Sequence, residues 1–433
     1  MTNKISKLYS KIFAGRDFAK NTTTLMLGTI LAQLIPILLQ PILRRIFSPE
    51  EFGAFSVYQS LIGIFTMFVT LRYDLAIVLP KKEKTAANLL FLSFGLNLII
   101  STILFFVLLI FGDPIAILLD FPSSHRVFMY FVPLGVFMFC FYQSINYWLI
   151  RKKAFVASAA NKVSRRAAEG IIQTGSGFAK ISGGLIIGDL FGNLINCSVG
   201  IWQMLRQGYK QKFISRVQLN YVAKKYIEFP KYNLLPTLLS ACGSLIPILF
   251  INKFYNAQTV GFFDLSRQML SIPFALVSMS IAQVLLQRLT EKKNQLQSIK
   301  KDLTSVFWFL GTIVIIELIV ILFWGPFLFG LFFGKIWNTS GTYSQIMVFS
   351  YVTNFIVSSF TGVFISLNKI KLYSIWQTFY FGAICLLLLF KGIEFTSFLK
   401  IFVFIDLTMY LMLLILIIFV VNNYEKKINP IHA

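Results

Sequence analysis

The chain is built from apolar runs of about 20 residues, repeated from one end to the other, and this limits its folds more than any other feature. Lipid offers no water to a stray backbone N–H or C=O, so a run of that length that enters a bilayer must satisfy its hydrogen bonds internally as a helix. Twelve runs stand out, approximately 21–43, 53–79, 86–111, 126–150, 161–180, 182–206, 231–252, 258–287, 303–331, 342–368, 371–391 and 397–421. The expected class is therefore an all-α integral membrane protein with about twelve transmembrane helices. Composition agrees, since 57% of the 433 residues are apolar, 13% are charged and 47 are Phe, more than a water-soluble core of this size can hide. No polar stretch is long enough for a soluble catalytic domain, so the reading is not an enzyme.

A net charge of +23 would suggest nucleic acid in a soluble protein. Here the Lys and Arg residues fall in short connectors, where they read as topology signals, and no nucleic-acid partner is expected. With the amino terminus inside, the inner segments carry roughly 30 of these residues and the outer loops roughly 8, which places both termini in the cytoplasm. Lys162, Arg165, Arg166 and the basic stretch from Arg206 to Lys231 count among the inner signals. The first run lacks a small-x-small cleavage site and is expected to stay as helix 1. Ahead of it, Ile5, Leu8, Tyr9, Ile12 and Phe13 follow helical spacing beside Lys4, Lys7 and Lys11, the pattern of a short interfacial helix.

A repeat appears at a spacing of about 210 residues. Leu34-Ile35-Pro36-Ile37-Leu38 returns as Leu245-Ile246-Pro247-Ile248-Leu249, and Phe52-Gly53-Ala54-Phe55 is matched by Val260-Gly261-Phe262-Phe263. The expected organisation is an interfacial helix over 1–20, an amino-terminal lobe over 21–206, a cytoplasmic linker over 207–230, a carboxy-terminal lobe over 231–421 and a tail over 422–433. Six helices per lobe, in the same orientation, suit an alternating-access carrier. Helices 5 and 6 are rich in Gly, including Gly170, Gly177, Gly184, Gly188 and Gly192, which lets helices approach closely.

Longer strings carry a family resemblance. Pro41-Ile42-Leu43-Arg44-Arg45-Ile46-Phe47-Ser48-Pro49-Glu50-Glu51-Phe52-Gly53, Leu71-Arg72-Tyr73-Asp74-Leu75-Ala76-Ile77-Val78-Leu79-Pro80, Glu228-Phe229-Pro230-Lys231-Tyr232 and the stretch from Gly261 to Pro273 resemble the Wzx-like O-antigen and polysaccharide flippases. These belong to the multidrug, oligosaccharidyl-lipid and polysaccharide (MOP) exporter superfamily, with a MATE-like arrangement of two lobes. The resemblance implies a flippase of the bacterial inner membrane that moves an undecaprenyl-diphosphate-linked oligosaccharide from the cytoplasmic to the periplasmic leaflet. It also implies membrane lipids, a polysaccharide polymerase and a chain-length regulator as partners, and no cofactor.

A charge inside hydrocarbon needs a cavity, a partner or a route to the interface. Arg72 reads as a ligand for the diphosphate or as half of an interhelical ion pair. Arg267 reads the same way, with Asp264 three residues earlier as its local partner. Arg44 and Arg45 read as interfacial anchors paired with Glu50 or Glu51, or as a basic doorway for the diphosphate. Glu317 and Asp406, near the middle of their helices, are candidates for ion coupling or structural hydrogen bonding, and Asp264 and Asp189 are further candidates. Asp189 has no evident partner in the sequence, whereas Glu169 should pair with Arg165 or Arg166. Cys140, Cys197, Cys242 and Cys385 are widely spaced and read as inert, not as metal ligands. No Gly-Lys-Ser/Thr phosphate loop is present, so no ATP chemistry is expected of this chain. The competing function is a MATE-like exporter of drugs or other small molecules, for which acidic residues in both lobes would be the signature. A membrane polymerase or ligase would need a larger outer loop than any found here.

Overall fold

The computed structural model describes residues 31–121 and 123–428, and the interfacial helix expected over the first twenty residues lies outside them. Among the described residues there is no strand. The chain runs through α1 (31–46), α2 (Pro49–Thr66), α3 (Glu83–Leu118), α4 (Val132–Arg151), α5 (Phe155–Phe178), α6 (Gly184–Arg206) and a short α7 (Arg216–Lys225). It continues through α8 (Glu228–Phe254), α9 (Ala257–Asn294), α10 (Lys300–Phe333), α11 (Asn338–Ser359), the one-turn α12 (Gly362–Ser366), α13 (Ile370–Cys385) and α14 (Phe395–Ile428).

Eight described helical segments are long and apolar enough to cross a membrane, against the twelve spans expected. The first, second, fifth and eighth expected spans are not among the eight. The second expected span, 53–79, is not one helix: α2 stops at Thr66, and turns lead to a 3-10 segment, Tyr73–Val78. The fifth carries Lys162, Arg165, Arg166 and Glu169 inside α5, and the amino-terminal part of the first lies outside the described residues.

Two compact units divide the described chain. One holds 31–47 and 58–238, and the other holds Ser48–Val57 with 239–428. In the first unit, α5 and α6 pack through glycines as the sequence suggested. A Cβ on Gly188 would come 3.0 Å from the Glu169 carbonyl, and one on Gly192 would lie 2.9 Å from the Glu169 Cβ. Without side chains there, the α5 backbone can lie directly against α6. The linker is tied to this unit by polar contacts: Tyr73 donates to the Ala223 carbonyl (2.9 Å), Asn88 donates to the Phe213 carbonyl (2.8 Å) and accepts from the Ser215 backbone (3.1 Å).

In the second unit, the starts of α2 and α9 cross at the two glycines of the repeat. A Cβ on Gly53 would sit 1.7 Å from the Ala257 carbonyl oxygen, and one on Gly261 would sit 1.9 Å from that of Pro49. Each helix is capped just before the crossing. Ser48 and Glu51 form a reciprocal capping box, with Ser48 N to the Glu51 carboxylate at 3.0 Å and Glu51 N to Ser48 Oγ at 3.3 Å. Asn256 accepts from Thr259 N at 2.8 Å. Phe52 and Phe262, adjacent to the glycines, both meet the buried Trp337 ring edge to face at 5.8 and 5.6 Å.

Candidate functional site

The first unit contains a polar cavity of about 200 Å³ among α1, α4, α5 and α6. Lys162, Arg165 and Arg166 line it together with Gln33, Gln143 and Asn146. Arg165 lies about 15 Å along α5 from Phe155 at 1.5 Å per residue, which is far inside a helix rather than in a cytoplasmic connector. The earlier counting of these three cations as topology signals therefore missed their place in the cavity wall. A signal was present: Lys162, Arg165, Arg166, Glu169 and Gln173 follow i, i+3, i+4, i+7 and i+11, a polar stripe on one face of a helix otherwise lined with small residues.

Two carboxylates hold part of this charge. Arg165 reaches Asp189 of α6 at 3.2 Å, and Asn193 donates to the other Asp189 oxygen at 3.1 Å. Asp189 is buried, so the partner that the sequence did not reveal comes from the neighbouring helix. Arg166 pairs with Glu169 at 2.8 Å across one turn of α5, as the spacing predicted. Phe139 lies beneath the Arg165 guanidinium at 5.8 Å. The wall thus carries Lys162, Arg165 and Arg166 beside the Gln33, Gln143 and Asn146 amides, with each arginine held by one carboxylate.

Arg72 sits where the second span breaks. Leu71 (φ 47°) and Arg72 (φ 64°) are consecutive left-handed residues, a conformation that costs a non-glycine residue roughly 1–2 kcal/mol. Asp74, two residues on, is buried and accepts from the Thr70 hydroxyl at 2.8 Å. The Arg72 Nε is buried and makes no hydrogen bond among the described residues. The guanidinium lies within electrostatic reach of Asp74.

Arg44 and Arg45 stand near the end of α1. Arg44 is 1% exposed and donates from Nε to Gln40 at 2.9 Å, while Arg45 is exposed. Glu51, proposed as their partner, is engaged by the Ser48 capping box instead. Local backbone groups claimed it because an acidic side chain at that position of a first turn satisfies orphan N–H groups.

In the second unit, Arg267 bonds to Asp264 at 2.9 Å and Gln268 bonds to the other carboxylate oxygen at 2.6 Å. Tyr351 of α11 lies within electrostatic reach of Arg267, Asp264 and Asp406. Asp406, buried in α14, accepts from the Tyr380 hydroxyl at 2.8 Å. Tyr380 stacks on Trp376, which stacks on Tyr373, and these rings with Tyr410 border a polar cavity of about 80 Å³ that Ser240 and Gln377 also line. Asp264 and Asp406 are thereby drawn into one neighbourhood. Glu317 is not among them; it stands half-exposed midway along α10, without a hydrogen-bond or ion-pair partner among the described residues. No group of three metal-ligating side chains occurs among the described residues.

Comparison with known proteins places this geometry in a family context. A family described as "Polysaccharide biosynthesis protein" matches residues 42–342. No curated protein matches the chain significantly. Among solved structures, an inward-facing multidrug resistance MATE transporter of the MOP superfamily aligns with TM-score 0.74 and 13% identity, covering 91% of this chain and 96% of the other. The lipid II flippase MurJ, in an inward closed conformation, aligns with TM-score 0.72 and 13% identity over 93% and 90% of the two chains. A MOP transporter from Pyrococcus furiosus, described as having a binding pocket of reverse polarity, aligns with TM-score 0.56 and 12% identity over 94% and 96%. The fold is the multi-pass, all-α fold of these structures.

Proposed function

We propose, from the premise that this chain belongs to the polysaccharide biosynthesis protein family, that it is an inner-membrane flippase for an undecaprenyl-diphosphate-linked oligosaccharide. The substrate crosses from the cytoplasmic to the periplasmic leaflet by alternating access, with ion coupling. The observation that carries the reading is the cavity bearing Lys162, Arg165 and Arg166. A diphosphate leaving water needs fixed cations and several N–H donors, which two guanidiniums, an ammonium and the Gln143 and Asn146 amides supply in one wall. The prenyl chain needs no protein site, since lipid solvates it.

Arg72 is a fourth proposed head-group ligand, its Nε already desolvated. Arg267 would be the second unit's contribution, exchanging Asp264 for phosphate, and Arg44 and Arg45 belong to the entry or exit route. Asp406, Asp264, Asp189 and Glu317 are the proposed coupling groups; Asp406 has the best surroundings for it, since tyrosine hydroxyls and a small polar cavity give a proton a path.

A second reading, a small-molecule exporter, is supported by the similarity to the multidrug resistance transporter, whose TM-score matches that of the flippase. Acidic residues do occur in both units; in the first unit Asp189 and Glu169 pair with Arg165 and Arg166, so a cationic substrate would have to displace the arginines just as a diphosphate would have to displace the acids. A deletion strain separates the two. Flipping is supported if labelled lipid-linked oligosaccharide accumulates on the inner leaflet and surface polymer is lost. Normal surface polymer with increased drug sensitivity would transfer the assignment to the exporter. In complementation, Lys162→Gln and Arg72→Gln should each reduce export without lowering protein level, and full export by both would remove the head-group assignment.

A further inference from the structure

The second unit has an apolar groove of about 290 Å³ between α10 and α14. Leu303 and Phe307 form one wall and Leu414, Ile418 and Val421 the other. Phe307 and Ile418 are 38% and 50% exposed, so the groove opens sideways. At one end it changes character abruptly, where Lys300 and Asn422 close the lining. Lys300 is the first residue of α10 and is exposed, and its ammonium has no carboxylate partner among the described residues. Lys301 follows it, also exposed.

The nearby carboxylates are already committed. Asp302 bonds to Arg288 at 2.7 Å and also to Lys292. Glu425 of α14 accepts from Ser298 Oγ at 3.1 Å, Ile299 N at 2.8 Å and Lys300 N at 3.1 Å, capping α10 from the neighbouring helix. Tyr424 adds a bond to the Gln297 carbonyl at 3.1 Å. This clasp fixes the polar end of the groove and leaves the two lysine ammoniums unneutralised beside it. An elongated apolar slot with a fixed positive mouth is complementary to one molecule class abundant in any bilayer.

We propose that the α10–α14 groove is a binding site for an anionic phospholipid, with one acyl chain in the slot and the phosphate at Lys300. Charge complementarity selects the occupant: a zwitterionic lipid would fill the slot equally well but brings a cation to the lysines. Its lining shares no residue with the proposed transport cavity, and it stands whether or not the substrate assignment holds. Its lysines attract the head group as basic residues at a membrane surface do, and the groove converts that general attraction into a located contact.

The test uses the full-length protein in nanodiscs containing phosphatidylglycerol or phosphatidylcholine with a photoreactive group in the acyl chain, followed by peptide mapping. Phosphatidylglycerol should label the 303–307 and 414–421 peptides about fivefold more than phosphatidylcholine, the factor expected for one lysine at a membrane surface. Lys300→Gln should lower this ratio, and Lys300→Gln with Lys301→Gln should bring the two lipids to parity. Leu414→Trp, which fills the slot, should remove groove labelling and leave labelling elsewhere; Ile418→Trp serves the same purpose if the first variant does not fold. Equal labelling by the two lipids in the wild-type protein, or labelling indifferent to Lys300→Gln, would reduce the groove to ordinary bulk lipid contact and overturn the site. Displacement of phosphatidylglycerol by a prenyl-diphosphate analogue at equal concentration would overturn it in favour of a substrate-tail site.

Discussion

A Cβ placed on Gly53 would fall 1.7 Å from the carbonyl oxygen of Ala257, so α2 and α9 touch backbone to backbone where they begin. The contact is reciprocal, since Gly261 faces Pro49 in the same way. Both glycines occupy matching places in the internal repeat, and the crossing is its physical expression. Gly53→Ala and Gly261→Ala should each destabilise the protein by about 1–3 kcal/mol, the cost of overpacking a tight contact. Thermal unfolding in detergent measures this. The double variant should lose less than the sum of the two, because one separation of the helices relieves both clashes.

That crossing also shows what the sequence could disclose. The repeat, the helical class and the Gly-mediated approach of α5 and α6 were legible because each is a periodic or compositional signal. The break after Thr66 was not, since Leu71-Arg72-Tyr73-Asp74 contains neither Gly nor Pro, and left-handed residues imposed by tertiary packing leave no local signature. Asp189 seemed partnerless because its partner, Arg165, is 24 residues away on another helix. The cation-rich cavity was hidden for a different reason: Lys162, Arg165 and Arg166 satisfy the positive-inside pattern and the polar-stripe pattern at once, and the first interpretation absorbed them. The burial of Arg44 was not legible either, since a position at a helix end does not show what packs over it.

The strained pair at the break gives a second prediction. Leu71 has φ 47°, a region open to glycine and closed to β-branched residues. Leu71→Gly relieves the backbone strain but gives up a side chain packed against the core, so it should destabilise less than Leu71→Val, whose added strain should cost about 1–3 kcal/mol. Equal melting temperatures for the two variants would show that the backbone relaxes at this position. Because the cation at Arg72 is kept in both, any loss of export in Leu71→Val reports the geometry of the break and not its charge.

Asp406 offers a prediction on coupling. Asparagine has nearly the same shape and retains an oxygen for the Tyr380 hydroxyl, now 2.8 Å from the carboxylate. Asp406→Asn should therefore fold normally and keep a basal rate of lipid transfer in proteoliposomes. It should lose the acceleration that an imposed proton gradient gives the wild-type protein, because an amide does not gain or lose a proton in this range. Tyr380→Phe should retain part of that acceleration, since the acid remains. An Asp406→Asn protein that responds fully to the gradient would exclude this carboxylate as a coupling group and direct attention to Asp264 and Glu317.

Glu425 tests whether the clasp between α14 and α10 is structural. Its carboxylate serves two backbone N–H groups, Ile299 and Lys300, and the Ser298 hydroxyl, at the start of a 34-residue helix. The first N–H groups of a helix have no partner within it, and a negative charge there is also favoured by the helix dipole. Glu425→Gln keeps an acceptor but removes the charge and should cost about 0.5–1 kcal/mol, whereas Glu425→Ala removes the cap entirely and should cost about 1–2 kcal/mol. Hydrogen exchange at 299–303 should accelerate in the same order, while exchange in α5 and α6, which belong to the other unit, should not change. Uniform acceleration through both units would mean that the substitution acts on global stability, and the clasp would lose its standing as a local cap.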